Sequence, residues 1–575
     1  MRVGGAGASL GVIQDRPMAS EYILVGVAWP YANGPLHLGH IAGAYLPADI
    51  FARYHRLAGN HVLMVSGSDQ HGTPITMRAE QEGVPPKVIA DRYHASFVDC
   101  WQRLGVQWEL FTATTTENHY KIVGDIFQRL YDRGTIYLDS MEMPFCPKDQ
   151  KFLADRYVEG TCPYCGYTDA RGDQCDNCGR TYNALDLKEP RCKFCHTTPE
   201  VARTEHFFCR WSEFNEPLRA WVEDKTYWRK NVFNFTRRYL EEGLKDSAIT
   251  RDIEWGVPVP IPGYENKRIY VWFDAVIGYY SASHEWAQRS GDPEAWRHWW
   301  TNPEARGYYF IGKDNIPFHT LRWPAVLMGC GGLNLPYDVP ANEYLNLEGL
   351  QFSKSREHAV WVPVFLDRFD PDPLRYYLSI NMPDSTDADF SWKEFQRRNN
   401  DELAAAYGNL VHRMLTFIGK HYEGTVPPAD HRQPEDEALL QKMRDAFPRV
   451  GGLLAACDFK DAIRDVMAVC REGNQYLDQQ QPWKTIKVDR DRAGAALNTI
   501  LNYINGLKVL YSPFLPNSSA KLHELLGNPY PASEERWEFR ELTPGAALAQ
   551  GPTPLFKKLE DDIIEEQLAL LKKSD

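Results

Sequence analysis

Apolar and polar positions along the chain fall into three regimes. From Tyr22 the run YILVGVAW is short, β-branched and apolar throughout, the pattern of a strand buried in a parallel sheet. PYANGPLHLG follows as a turn, and a helical period then starts near His40 and continues through Ala44, Leu46, Ile50 and Phe51. HVLMVSGSD reads as a second strand ending in polar residues. Strand, helix, strand in this order is a βαβ unit. The expected fold class is therefore α/β, a doubly wound parallel sheet of Rossmann type whose ligands bind beyond the carboxyl ends of the strands. RIYVWFDAVIGYY and YYFIGKDNIPFH read as later strands of the same sheet.

The second regime, residues 135–250, is rich in cysteine and reads as an insertion between the two sheet halves, 21–134 and 251–334. Residues 335–396 form a linker that holds LEGLQFSKSREHAV and shows no strong helical period. The third regime, 397–545, is helical. Leu403, Tyr407, Leu410, Val411, Met414 and Ile418 share a face, as do Ala462, Ile463, Val466, Met467 and Cys470, and again Leu497, Ile500, Leu501, Ile504 and Leu507. Three such stripes predict a helix bundle. Pro448 is expected to kink or end one of its helices. Residues 546–575 read as a strand or turn and an amphipathic helix, with no sign of a further OB-fold-like segment, so a monomer is expected.

Length and composition add limits. At 575 residues the chain exceeds one core, and three or four folded units are expected. No apolar run approaches the ~20 residues that span a bilayer. Residues 1–20 lack the apolar core of a secretory signal and read as a disordered leader, with Met18 an alternative start. A cytoplasmic location is expected. The net charge of −13 gives no global attraction to nucleic acid, so RNA binding would need local basic patches such as RRNN from Arg397.

Two polar motifs carry chemistry. In PYANGPLHLGH, Gly34 and Gly39 let backbone approach a ligand, and His37 and His40 stand at a helix start, where free N–H groups attract phosphate. Taken alone, H-x-x-H is equally a metal pair or two surface histidines. In QFSKS, Lys354 supplies a mobile cation and Ser353 and Ser355 supply hydroxyls, enough to close over a triphosphate, although a short Ser/Lys loop is usually a solvated turn.

Six of the twelve cysteines form C-x-x-C pairs. Cys162, Cys165, Cys175 and Cys178 have the spacing of a closed four-thiolate zinc site. A second site is possible at Cys192 and Cys195, with Cys146 and Asp149, or else His196, His206 and Cys209, as partners. Cys100, Cys330, Cys457 and Cys470 read as buried thiols.

An HLGH helix start on the first βα unit with an S-K-S loop downstream resembles the two signatures of class I aminoacyl-tRNA synthetases. AWPYANGPLHLGH, SGSDQHGTPI, YVWFDAVIGYY and FIGKDNIPFH are similar to the methionine-specific family among them, and the resemblance runs from about Tyr22 to the C-terminus. It implies a ligase that activates methionine with ATP and Mg²⁺, then loads it onto initiator and elongator tRNA(Met). It assigns His37, His40 and Lys354 to catalysis. Gly39, Gly312, Lys313, Asp314, Ser353 and Ser355 fall to ATP. Asp69 falls to the substrate ammonium, with Tyr31, Trp272, Tyr279 and His319 lining the methionine pocket and Ala28 and Trp29 nearby. Similar enzymes carry pairs at the places of the second zinc site, and read the anticodon with residues matching Asn409, Arg413 and Trp483. Two departures stand out: Gln351 replaces the commonest lysine of the loop, and Val276 stands where proline is common.

Two rivals remain at this stage. A leucine, isoleucine or valine synthetase would carry a large editing insertion in place of cysteine knuckles. A non-catalytic, zinc-holding RNA binder would have no use for HLGH, GKD and SKS together.

Overall fold

The computed structural model describes residues 20–572 except 154–156, 173–174, 176, 179, 181, 353–357 and 550. The expected leader, with Met18, and the loop residues Ser353, Lys354 and Ser355 lie outside the described residues.

Five parallel strands make the central sheet: β1 (Tyr22–Val27), β2 (His61–Ser68), β3 (Leu110–Ala113), β4 (Arg306–Gly312) and β5 (Ala341–Asn342). Their order is β5-β4-β1-β2-β3, with Val25 of β1 facing Tyr308 on one side and Met64 on the other. Strand β1 is buried almost end to end, which is why its sequence is apolar without alternation. The order reverses between β1 and β4. That reversal opens a crevice at the carboxyl ends of these two strands.

YYFIG forms most of β4 as expected, but RIYVWFDAVIGYY is not a strand of the sheet. Only Arg268–Ile269 pairs, antiparallel to Thr250–Arg251, and Val271–Ser290 is a helix of 20 residues. Its buried residues include Val271, Phe273, Val276, Ile277, Tyr279 and Ala282, so it packs on several sides at once. A helix buried in this way lacks a polar face, and Val, Trp, Phe and Tyr favour strands locally; packing against β2 and the Glu117–Asp132 helix overrides that preference.

The insertion is built on a long antiparallel ladder, Ile136–Cys146 against Glu200–Cys209, followed by the helices Asn215–Glu223 and Lys230–Glu242. Further along, the Pro371–Ile380 helix lies in residues that show no strong helical period, because it too is buried nearly all round. Its Arg375 is 1% exposed and bonds Asp49, the carbonyl of Leu104, and the carbonyls of Pro513 and Phe514.

Helices Asn409–His421, Pro434–Ala455, Phe459–Gln480, Arg490–Tyr511 and Pro516–Leu525 form the C-terminal helical region. The Pro434–Ala455 helix does not end at Pro448. Phe447, Val450 and Leu454 are buried around the proline, and their packing outweighs the roughly 3 kcal/mol that an interior proline costs. One continuous core joins β1, the Leu46–Leu57 helix, the Pro371–Ile380 helix and these C-terminal helices. A second core covers the other face of the sheet, and a third, small one underlies the cysteines.

Candidate active site

The crevice beside β1 and β4 is a cleft of about 510 Å³. HLGH stands at its edge. Leu38–His40 opens a helix that passes through a π-helical turn, Ile41–Tyr45, into Leu46–Leu57. The His37 and His40 rings lie 3.8 Å apart, centroid to centroid. The His37 backbone N–H donates to His40 Nδ1 at 3.1 Å, so the proton of a neutral His40 sits on Nε2. A Cβ on Gly39 would stand 3.0 Å from the His37 ring, so glycine there leaves the imidazole its place.

The residues flanking the loop of Lys354 are tied to this helix start on both sides. Phe352 stacks on His37 at 4.8 Å, and after the loop the backbone of Val360 and Val362 pairs with Leu38 and Leu36. The three assigned residues of the loop itself, Ser353, Lys354 and Ser355, lie outside the described residues.

The opposite wall is aromatic. Trp272 stacks on Phe318 at 4.2 Å and meets Tyr31 edge-on at 5.9 Å. His319 Nδ1 lies 2.9 Å from the carbonyl of Asn315 and so carries the ring proton; Nε2 accepts from the Tyr279 hydroxyl at 2.7 Å. Burial pushes the His319 pKa down to about 4, which keeps the ring neutral. Trp29 occupies a slot between two glycines. A Cβ on Gly278 would stand 2.7 Å from its ring, and one on Gly67 only 2.3 Å. Ala28, Val276, Gly312, Asp314 and Gln351 also line the cleft. Lys313 turns to the rim, where it bonds Glu343 at 2.7 Å and Asp387 at 3.0 Å, and Asp314 bonds the Tyr344 hydroxyl.

Asp69 lies at the end of β2, 3% exposed, and is the buried carboxylate of the cleft. Burial and the nearby Asp274 raise its pKa well above the ordinary carboxylate value, while His71 opposes the shift. The His71 backbone N–H donates to Asp69 Oδ1 at 3.2 Å. The His71 ring lies between Asp274 Oδ2 (2.9 Å) and the Tyr120 hydroxyl (3.2 Å), and burial lowers its pKa to about 4. His71, Asp274 and Tyr120 escaped the sequence reading. The motifs SGSDQHGTPI and YVWFDA contain two of them, but nothing in either motif signals that residues 203 apart meet.

Comparison with known proteins decides the family. Residues 23–415 match a family model described as tRNA synthetases class I (M), and residues 426–571 match one described as the anticodon binding domain of methionyl tRNA ligase. The chain belongs to the methionyl-tRNA synthetase family. It is 55% identical over 550 residues to a methionine–tRNA ligase of Dehalococcoides mccartyi (strain CBDB1), covering 96% of this chain and 99% of that one. It is 53% identical over 574 residues to that of Thermomicrobium roseum, covering 95% and 98%. Among solved structures it is similar to Mycobacterium tuberculosis methionyl-tRNA synthetase in complex with methionyl-adenylate, with a TM-score of 0.77 at 27% identity, covering 93% of this chain and 99% of the other.

In this synthetase the cysteines gather into two clusters, each with ligand atoms within 4.8 Å of one another: Cys162, Cys165, Cys175 and Cys178, and Cys146, Asp149, Cys192 and Cys195. In the first, Sγ separations are 3.9 Å (Cys162–Cys178) and 3.6 Å (Cys165–Cys175). Four thiolates at about 2.3 Å from a tetrahedral zinc stand about 3.8 Å apart, so the donors fit that ion, and they are too distant for disulfides. The second cluster is slightly tighter, with Asp149 Oδ2 at 3.4 Å from Cys146 and 3.1 Å from Cys192. The competing residues fall elsewhere. His206 is buried against Thr250 and Asp252, Cys209 ends the long ladder, and His196 takes a left-handed turn (φ 56°) after Cys195. Cys100, Cys330, Cys457 and Cys470 are buried.

On the helical region, Arg413 lies over the half-buried ring of Trp483 at 5.1 Å, and exposed Asn409 stands one turn before Arg413. The three assigned residues thus form one surface, and Trp483 is not a core residue. RRNN is differently occupied. Arg397 and Arg398 pair with Glu394, Arg398 also with Glu402, while Asn399 and Asn400 bond carbonyls of Lys557 and Leu559. That cluster holds the C-terminal segment.

Proposed function

We propose that this synthetase joins methionine to ATP, forming methionyl-adenylate, and transfers the methionyl group to the 3′-terminal ribose of tRNA(Met). The methionine carboxylate attacks the α-phosphorus, the bond to the β-phosphate oxygen breaks, and pyrophosphate leaves. A ribose hydroxyl of the tRNA then attacks the activated carbonyl, and AMP leaves. The observation that carries the reading is the cleft itself: two adjacent imidazoles at a helix start face a buried carboxylate and an aromatic wall.

Each group has a role suited to its surroundings. His37 and His40 donate to phosphate oxygens at a helix N-terminus. Lys354 neutralises charge as pyrophosphate departs, and the contacts of the flanking residues Phe352, Val360 and Val362 with His37, Leu38 and Leu36 support this role. Asp69 receives the ammonium, Trp272, Tyr31, Tyr279 and His319 surround the thioether, and Gly39, Gly312 and Asp314 border the nucleotide. Sulfur against aromatic rings gains about 0.3–1.5 kcal/mol, which favours methionine over an aliphatic rival. Mg²⁺ arrives with ATP. The two cysteine clusters are zinc knuckles that hold the insertion together; a structural zinc supplies roughly 10–16 kcal/mol of folding free energy. Asn409, Arg413 and Trp483 read the anticodon. With this reading go a monomeric state and a cytoplasmic location, where reduced thiols stay free for metal.

Amino-acid-dependent exchange of pyrophosphate into ATP tests the reading. Strong exchange with methionine and little with isoleucine is expected; the reverse overturns it. Lys354→Ala is expected to slow exchange far more than it weakens methionine binding, and equal losses would remove the loop from the mechanism.

A further inference from the structure

A second cavity, of about 310 Å³, lies where the Leu46–Leu57 helix meets the C-terminal helices, away from the cleft. The helix that continues from HLGH carries Arg53 and Arg56 near its far end, roughly 20 Å from His40 at 1.5 Å rise per residue. The Arg490–Tyr511 helix supplies Lys508 and the Pro516–Leu525 helix supplies Ser519. Glu535 and Arg536 come from the chain just after the short turn Ala532–Glu534. Segments far apart in sequence thus converge on one hollow that the proposed chemistry does not use.

Its wall is basic. The cations Arg53, Arg56, Lys508 and Arg536 line it beside one carboxylate, Glu535. From outside the lining, Asp49 pairs with Arg53 at 2.8 Å, and Glu109 with Arg56 at 2.8 and 3.0 Å. With both of these counted, cations still exceed carboxylates, in a chain whose net charge is −13. Lys508, 2% exposed, bonds Glu535 and lies 3.1 Å from His523 Nδ1. Arg536 is exposed, donates to the carbonyl of Glu535 at 3.0 Å, and pairs with no carboxylate among the described residues.

Two donors at this wall are unmatched. Arg56 turns Nε and Nη2 to Glu109 and the carbonyl of Gln107, and its buried Nη1 has no partner among the described residues. Ser519 is 4% exposed, and its buried hydroxyl has none either. Buried donors are matched almost everywhere in folded proteins, so two at one wall point to an acceptor brought by a ligand.

We propose that this cavity is a second ligand site, one that takes the phosphoryl group of a small molecule. A phosphoryl group brings three acceptor oxygens and nearly two negative charges, the complement of guanidinium, ammonium and hydroxyl donors. The hollow has the volume of a small-metabolite pocket, and Leu57, Pro516 and Ala520 give it apolar wall for the rest of such a molecule. A ligand held there touches the helix of HLGH and the C-terminal helices together, and so stabilises their joined form.

The test is isothermal titration calorimetry on the full-length protein with its cleft filled by a stable methionyl-adenylate analogue. Inorganic phosphate, ribose 5-phosphate and ribose are titrated separately. One site per chain is expected for a phosphorylated probe and none for ribose. Tighter binding of ribose 5-phosphate would make the ligand a phosphate ester, and tighter binding of phosphate the free ion; either supports the site. Arg536→Gln and Ser519→Ala are each expected to weaken binding at least tenfold while methionine-dependent pyrophosphate exchange stays at the wild-type rate. Ser519→Ala is expected to melt no lower than wild type in phosphate-free buffer, because it removes a hydroxyl that the protein leaves unmatched. Absence of binding by both phosphorylated probes overturns the proposal. So does unchanged binding in both variants, which would put the anion elsewhere. Loss of tRNA affinity in Arg536→Gln without any small-molecule binding would give this surface to RNA and overturn it too.

Discussion

One added methyl group offers a sharp test of how the cleft is walled. Trp29 stands between Gly67 of β2 and Gly278 of the Val271–Ser290 helix, and a Cβ at 278 would come within 2.7 Å of its six-membered ring. That is roughly 0.8 Å short of the optimum for two carbons. The ring has no retreat toward the sheet, because the space beside Gly67 is bounded by the Thr112 carbonyl. Gly278→Ala therefore pushes the indole toward the cleft and Tyr31. Overpacking of this kind costs about 1–3 kcal/mol. If the strain falls on the methionine subsite, KM for methionine rises about 5- to 150-fold, at 1.4 kcal/mol per tenfold. Pyrophosphate exchange at varied methionine and saturating ATP measures it, with a melting curve as the control for folding. Adding Trp29→Phe removes the clashing ring atoms and is expected to recover most of the loss. A KM within twofold of wild type, or a defect that Trp29→Phe leaves in place, refutes the argument.

Other outcomes follow from the same geometry. Asp69 has a raised pKa, through burial and Asp274, so on the acid side it is protonated and cannot balance an ammonium; KM for methionine is expected to fall as pH rises through that pKa and then level off, and Asp69→Asn is expected to abolish the dependence. His71→Ala leaves Asp274 buried without its ring partner, a loss of about 1–3 kcal/mol in stability that a thermal melt reports, and a wild-type melting temperature would contradict the pairing. Trp483→Ala is expected to raise KM for tRNA about 5- to 150-fold from lost stacking, leaving methionine exchange untouched; a collapse of exchange would mean that the tryptophan supports the fold. Cys165→Ser is expected to lower the bound zinc by one ion per chain, counted by elemental analysis, and an unchanged count would exclude this cluster as a metal site.

What the sequence discloses depends on whether a segment has two environments or one. β1 and β4 are legible because a run of β-branched and aromatic residues, bounded by turn residues, has few other readings. The Asn409–His421 and Phe459–Gln480 helices are legible because each shows one face to water, and Arg490–Tyr511, buried from Ala493 onward, is legible because buried polar residues such as Asn498, Asn502 and Asn505 interrupt its apolar stripe. The Val271–Ser290 and Pro371–Ile380 helices are buried on several sides, so their periodicity vanishes and β-favouring residues mislead. At Pro448 only the expectation of an ending fails: the helix continues through it, held by the packing of Phe447, Val450 and Leu454. At the site, His37, His40, Asp69 and Trp272 are visible as motif residues. The supports around them are not. The grip of Gly67 and Gly278 on Trp29, and of Asp274 on His71, comes from chain segments far apart in sequence, and only the fold brings them together.

Arg375 has a consequence for how the molecule comes apart. Its guanidinium joins Asp49, on the helix that begins at HLGH, to the backbone at Pro513 and Phe514, and the apolar core continues across the same junction. A chain fragment ending near residue 400 would strand this cation and bare a broad oily surface; a fragment starting there would lose the wall it leans on. Heating is expected to melt both ends in a single calorimetric transition, and limited proteolysis to spare the junction until that temperature is reached.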